Sequence, residues 1–322
     1  MLRDAENLNE YAFAIGALAH YAADINGHRL AVNRAVPILY PKLGAKYGQE
    51  VTYADDPGAH LKTEFGFDVL QLAKGRYVSD AYRDLIGFEV SKPVLERAFK
   101  DTYCLELKDV FASVDLSIGS YRRAVSSFVP TATKIAWDLK KDEIQKNTPG
   151  ITRDKFLYKK IPRSEYEKNW GKEYKEPGFG THVVAFLMRI VPKIGPFRAL
   201  KFRTPTAETE KLFLESIKET IETHRALLEA ESKGNPRLIN DNLDVGRKTV
   251  FGAYAISDKA YAQFVDKLAD RKFAGISQAL RNDILAFYDA RLAGGKHSKE
   301  SAKLLAEIEQ LKNLDVRTTG VR

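Results

Sequence analysis

Residues 11–25 constrain the fold most, because they read YAFAIGALAHYAADI with no lysine, arginine or glutamate. Apart from its tyrosines, the ionisable side chains of this stretch are His20 and Asp24. A helix that is apolar on all faces is usually buried, and a buried carboxylate needs a cation or hydrogen-bond donors. His20 and Asp24 are four positions apart and share one helix face. The stretch therefore predicts a buried helix with one polar pair, ended by a left-handed glycine at Asn26-Gly27.

A second histidine–carboxylate pair follows on another predicted helix. Asp56 and Pro57 are typical of a helix start, with the aspartate as N-cap, and His60 and Glu64 then share one face. His28 comes directly after the first helix, and imidazole and carboxylate are ligands that zinc takes. Either pair alone is more often a surface ion pair or a packed core histidine, whereas both pairs together with His28 favour a metal site. The candidate metal ligands are His20, Asp24, His28, His60 and Glu64.

Three stretches carry a family resemblance: AIGALAHYAADINGH, AVNRAVPILYPKL and DDPGAHLKTEFGFDV. Over roughly residues 9–70 they resemble the bacterial zinc-dependent phospholipase C family, which is related in fold to single-strand-specific zinc nucleases. The resemblance implies a buried all-α core that holds a cluster of zinc ions. It also implies that Asp24 is the bridging and catalytic carboxylate, and that His28, His60 and Glu64 complete one zinc site.

The chain departs from this family at its beginning. The family also uses an amino-terminal tryptophan and further histidine and aspartate ligands upstream of the His-x3-Asp pair. Here no histidine precedes His20, and the tryptophans are Trp137 and Trp170. Either the sequence lacks the family's amino-terminal part, which we expect, or the protein is a divergent relative that binds fewer metals. On the first interpretation an exported protein, periplasmic or secreted, is favoured, although no signal peptide is visible in these residues.

Charge and cysteine content narrow the possible chemistry. The formal net charge of +8 favours anionic partners such as phosphodiesters, nucleic acid or acidic lipid headgroups, or else it reflects solvated helix surface. Cys104 is the single cysteine of the chain. An internal disulfide and a cysteine-based zinc site are therefore excluded.

The pattern predicts an all-α protein, a multi-helix bundle of the phospholipase C and zinc nuclease type. We divide it into a helical metal-binding core over 1–147, a basic aromatic insertion with an apolar segment over 148–205, C-terminal helices over 206–293, and a charged tail over 294–322. The tail is expected to be a solvated helix. Helices are also expected on either side of Pro130, because proline disfavours a helix interior.

The segment 148–205 leaves several interpretations open. Its first part mixes tyrosines and Trp170 with lysines, a composition that either stacks nucleic-acid bases or packs onto the bundle as a surface loop. Residues 182–202 are mostly apolar, and their charged residues are all basic. They are expected to be buried or to face a partner, and otherwise to contact a membrane surface peripherally.

These observations lead to a prediction of function. We expect a zinc-dependent phosphodiester hydrolase, phospholipase C-like, that cleaves phospholipid headgroups with metal-activated water. The alternatives are a non-catalytic zinc-stabilised helical domain that binds a partner or membrane surface, and a single-strand nuclease-like activity.

Overall fold

The computed structural model describes residues 1–76, 89–147, 149–158, 202–234, 240–292 and 299–314, together with 168 and 238. These residues are overwhelmingly helical, which confirms the predicted all-α class. The α-helices are α1 Leu8–Asn26, α2 Asn33–Leu39, α3 Pro41–Tyr47, α4 Pro57–Ala73, α5 Lys92–Tyr103, α6 Leu107–Val110, α7 Val114–Asn147, α8 Arg153–Phe156, α9 Ala207–Ser232, α10 Ala255–Asp270, α11 Gln278–Leu292 and α12 Lys299–Lys312. A small antiparallel hairpin pairs β1, Asp241–Asn242, with β2, Arg247–Lys248.

Local sequence signals explain where several helices begin and end. The Asp56 side chain accepts a hydrogen bond from the Ala59 N–H at 2.8 Å, and Pro57 is the first residue of α4, as predicted. The helix α5 spans Lys92–Tyr103. It ends at Cys104, whose φ of 56° places it in the left-handed region that terminates helices.

Three local predictions were wrong. Gly27 does not stop the first helix, because the chain continues from α1 into a π-helical turn over Gly27–Val32. Pro130 lies inside α7, and the helix departs from helical geometry instead at Lys140, where φ is −136°. The tail helix α12 is not fully solvated, because Leu304, Ile308 and Leu311 recur at helical spacing and are buried.

Contacts divide the chain into two compact units. The first unit comprises Met1–Asn26, Ser91–Val110 and Thr220–Arg322. Its core is formed mainly by α10, α11 and α12, with Phe287 and Tyr288 among the fully buried side chains. The Arg97 guanidinium donates to the Asp4 carbonyl at 2.9 Å and pairs with Glu10, which ties α5 to the start of α1.

The second unit comprises Gly27–Val90 and Phe111–Glu219 and is organised around α4. One side of α4 packs on α7 through a cluster that includes Phe65, Val69 and Trp137. Another side contributes Ala59 and Phe67 to a separate cluster with the π-helical turn and α2. Because apolar clusters cover α4 on two sides, its position is fixed by burial along most of its length.

The predicted division at 147, 205 and 293 stays a prediction, since these are boundaries along the chain and the units group residues by contact. The basic aromatic insertion lies largely outside the described residues, and so does the apolar segment 182–202 apart from Phe202. None of the helices in the described ranges has the length and apolarity needed to cross a membrane.

An ion pair within the second unit joins the end of α4 to the start of α9. Lys74 Nζ lies 2.6 and 2.7 Å from the two carboxylate oxygens of Glu210, and Arg76 Nη1 lies 3.1 Å from Oε1. Burial acts to raise the pKa of Glu210, but the hydrogen bonds and charges of Lys74 and Arg76 lower it below its usual value. The Glu210 carboxylate is therefore stabilised in the folded state.

We expect Glu210→Gln to lower the free energy of unfolding by about 1 to 2 kcal/mol at pH 7, because it removes charge-assisted hydrogen bonds at a partly buried site. A group with a depressed folded pKa contributes stability above its unfolded pKa and loses that contribution as pH falls through the folded value. The difference between the two proteins should therefore shrink below about pH 4.5. Denaturant titrations at several pH values measure it.

The matched control is Glu215→Gln on the same helix. Its carboxylate is exposed and lies 3.8 Å from Lys211 Nζ, so its unfolding free energy should change by less than about 0.5 kcal/mol. An equal loss of stability in both variants would contradict the claim that the ion pairs of Glu210 stabilise the folded state.

Candidate metal centre

Three of the predicted ligands meet in the second unit. His60 Nε2 lies 3.1 Å from His28 Nδ1 and 3.1 Å from Glu64 Oε1. His28 Nε2 lies 3.7 Å from the same carboxylate oxygen. The cluster thus brings two imidazoles and one carboxylate together from the π-helical turn and from α4.

The position of each ligand follows from the local fold. His60 lies in the first turn of α4, where its backbone N–H donates to the Asp56 carbonyl at 3.1 Å, and Glu64 lies one turn later on the same face. His28 belongs to the π-helical turn Gly27–Val32. π-helical turns are rare and occur frequently at functional sites. Here the turn carries the one ligand of the cluster that does not belong to α4.

The centre is shielded on one side and open on the other. His60 is fully buried, whereas the side chains of His28 and Glu64 retain 26% and 32% exposure. The Tyr53 ring packs edge-on against His60 at 5.6 Å between centroids, and the His28 ring lies 5.0 Å from His60. The partial exposure leaves the outer sides of His28 and Glu64 accessible to solvent.

Two of the distances are close to the spacing of ligands around a zinc ion. Tetrahedral zinc with nitrogen and oxygen ligands at about 2.0 to 2.2 Å holds its ligand atoms roughly 3.3 Å apart. His60 Nε2 lies 3.1 Å from both His28 Nδ1 and Glu64 Oε1, whereas the 3.7 Å contact of Glu64 is with the other ring nitrogen of His28. His60 Nδ1 is buried without a hydrogen-bond partner among the described residues. Metal-bound histidines usually donate this second N–H, so His60 departs from the common arrangement in this respect.

The first histidine–carboxylate pair forms within α1, in the first unit. His20 Nε2 lies 3.2 Å from Asp24 Oδ2, as their spacing predicts, and the His20 side chain is 76% exposed. The prediction that α1 is buried on all sides was wrong. Only one stripe of the helix is buried, because small apolar residues such as Ala17 tolerate partial exposure at low cost.

The structure brings some of the five predicted ligands together and leaves the others apart. His28, His60 and Glu64 converge as predicted, although their binding of metal stays a prediction. His20 and Asp24 form their own pair, and their part in a metal cluster also stays a prediction. Tyr53 was not anticipated, since an aromatic residue in a loop carries no periodic signal that would identify it as a neighbour of His60.

Comparison with known families connects this geometry to a chemistry. The family described as zinc dependent phospholipase C matches residues 1–113. This part of the chain resembles that family. The match contains all five candidate ligands and confirms the resemblance predicted from residues 9–70. The family indicates zinc as the cofactor. No curated protein and no solved structure matches the chain.

We expect wild-type protein, stripped with a chelator and reloaded with zinc, to retain about one tightly bound ion after dialysis. His60→Ala and Glu64→Gln should each lose that ion, because each removes one of three clustered ligands. Metal analysis by atomic emission gives the stoichiometry. Thermal unfolding with and without zinc gives a second measurement, since a ligand that binds only the folded state raises its stability.

His224→Ala is the control for loss of a histidine, because His224 lies on α9 in the first unit. It should keep both the bound ion and the zinc-dependent rise in melting temperature. Because His60 is buried, its replacement also leaves a cavity, so the decisive quantity is the rise caused by zinc within each variant. The same rise in wild type and Glu64→Gln would contradict the assignment.

Proposed function

We propose that this protein is a zinc-dependent phosphodiester hydrolase with phospholipase C-like chemistry. The observation that supports the proposal most directly is the convergence of His28, His60 and Glu64, with ligand atoms within 3.7 Å, inside the part of the chain that resembles the family. The excess of positive charge agrees with an anionic substrate.

Each residue of the centre has a distinct task in the proposal. His28 and His60 supply neutral nitrogen donors, and Glu64 supplies an anionic oxygen. When bound, zinc lowers the pKa of a coordinated water and stabilises negative charge that develops on the phosphoryl oxygens. The burial of His60 holds its ring in one orientation, whereas the exposed sides of His28 and Glu64 leave room for the phosphodiester.

Asp24 is proposed as the residue that orients the attacking water and accepts its proton, a role that the family resemblance implies. Within α1 its carboxylate lies 3.2 Å from His20 Nε2 and keeps 28% side-chain exposure. His20 therefore orients the carboxylate from one side. A partly exposed carboxylate can accept a hydrogen bond from a water molecule.

The substrate class that the family implies is a phospholipid. The peripheral membrane contact proposed for residues 182–202 lies almost wholly outside the described residues, as do most of the aromatic residues proposed to stack on nucleic acid. An exported location is likewise a proposal that follows from the family resemblance alone. Phospholipid headgroup cleavage is therefore the first activity to measure.

We expect the zinc-loaded protein to hydrolyse a soluble phosphatidylcholine analogue, and His60→Ala and Asp24→Asn to reduce that rate by about a hundredfold or more. His224→Ala should stay near the wild-type rate. Release of the phosphorylated headgroup measures activity, and single-stranded DNA is assayed in parallel. Cleavage of DNA alone would favour the nuclease alternative.

The second candidate is a zinc-stabilised helical domain without catalytic activity. It is favoured by one observation: the ligands join the π-helical turn to α4, so a bound ion would cross-link two segments of the second unit. This candidate would be favoured over the hydrolase if the protein bound one equivalent of zinc and zinc raised its melting temperature, but neither substrate was cleaved.

A further inference from the structure

A second polar site lies on another side of α4. A pocket of about 480 Å³ opens within the second unit beside the start of this helix. Its walls include Tyr40, Lys42, Asp56, Ala59, Lys62 and Arg203. Ala59 and Lys62 are three positions apart and share one helix face, whereas His60 and Glu64 share a different one. The volume lies in the range of small-molecule sites.

Close packing fixes Arg203 in this wall. Gly66 on α4 allows the approach, because a Cβ at this position would lie 3.1 Å from the Arg203 carbonyl oxygen. The neighbouring Phe202 ring packs edge-on against Phe65 at 5.3 Å. Arg203 Nη1 donates to the Leu39 carbonyl at 2.6 Å, and its guanidinium carbon lies 5.2 Å from the centre of the Tyr40 ring. The remaining guanidinium N–H groups have no protein acceptor within the described ranges.

The charges of the pocket are not balanced. Lys42 and Lys62 form no ion pair with any carboxylate of the described residues, unlike Lys74, which is held by Glu210. The carboxylate in the wall belongs to Asp56, and its Oδ1 is occupied by the Ala59 N–H at 2.8 Å. Three cations and one carboxylate leave two excess positive charges around a concave surface.

The pocket also contains an unused donor. The Tyr40 hydroxyl is buried and has no hydrogen-bond partner within the described part of the chain. A buried polar group without a partner costs free energy, and this cost disappears when a ligand supplies an acceptor. Burial raises the pKa of Tyr40, although the backbone and charge of the neighbouring Arg203 act in the opposite direction. The hydroxyl therefore keeps its proton at neutral pH and is a donor to an anion.

We propose that this pocket binds the phosphate group of a phosphate ester, at a site separate from the metal centre. Arginine donates to two phosphate oxygens through its planar fork, and lysine ammonium groups add charge-assisted hydrogen bonds. The Tyr40 hydroxyl donates to a further oxygen. The same phosphate chemistry is offered by a small soluble ester and by an anionic lipid headgroup. The site requires no zinc and stands whether or not the protein is a hydrolase.

The experiment is done on chelator-treated, metal-free protein, so that phosphate cannot bind through zinc. Binding of glycerol 3-phosphate is measured by calorimetry. Binding to vesicles is measured by sedimentation, with phosphatidylcholine alone and with added phosphatidic acid. We expect binding of at least one of the two phosphate probes and no binding to pure phosphatidylcholine. Binding of the soluble ester alone identifies a free phosphate ester, and binding of phosphatidic acid vesicles alone identifies a lipid headgroup.

The variant Lys42→Gln/Lys62→Gln should weaken the binding at least about tenfold, because two hydrogen bonds to a charged group are removed. Lys134→Gln/Lys211→Gln is the matched control, with the same change in net charge at two exposed positions of the second unit. It should bind within about twofold of wild type. Equal weakening in both double variants would show charge attraction without a site and would overturn the proposal.

Tyr40→Phe gives an independent test, because it separates ligand affinity from the stability of the ligand-free protein. It removes the hydroxyl and keeps the ring. The ligand-free melting temperature should change little or rise, since the hydroxyl has no well-aligned hydrogen-bond partner among the described residues, whereas the affinity for the phosphate probe should fall severalfold. Unchanged affinity in both Tyr40→Phe and the Lys42→Gln/Lys62→Gln variant, or no binding of either phosphate probe to wild type, would overturn the assignment.

Discussion

The burial of α4 is the constraint on which the second unit depends. Phe65 and Val69 pack against α7, while Ala59 and Phe67 pack against α2 and its neighbours. A helix fixed on two sides cannot rotate without exposing apolar surface, at roughly 25 cal/mol per Å². His60 and Glu64 share this rigidity, because they lie on the same helix. The polar pocket beside Ala59 and Lys62 also has a rigid wall, because these two residues lie on α4. One helix therefore positions both candidate sites, on different faces.

The π-helical turn is the second determinant of the metal centre. It places His28 Nδ1 3.1 Å from His60 Nε2, although the two residues belong to different elements. π-Helical turns are rare in proteins and occur frequently at functional sites. The turn presents the His28 imidazole to the buried His60 imidazole. This contact lies within residues 1–113, which resemble a zinc-dependent family.

Positive charge is distributed unevenly over the described residues. Lys74 and Arg76 pair with Glu210, and Lys303 pairs with Asp266, so the charges of these cations are partly compensated by carboxylates. Lys42 and Lys62 have no carboxylate partner in the described part of the chain, and they lie at the rim of a pocket. A net charge of +8 therefore agrees with an anionic partner but does not show where that partner binds. The arrangement of unpaired cations around a concave surface indicates where an anion would bind.

The sequence alone determined the helical class, the start of α4 at Asp56-Pro57 and the shared face of His60 and Glu64, because capping and helical period are local properties. It also carried the family resemblance. It did not determine that α1 is half exposed, that helix continues past Gly27 and Pro130, or that Arg203 closes a pocket with Tyr40. These features depend on which surfaces pack together over long distances in the chain, and packing overrides local preference wherever more apolar surface is buried by doing so.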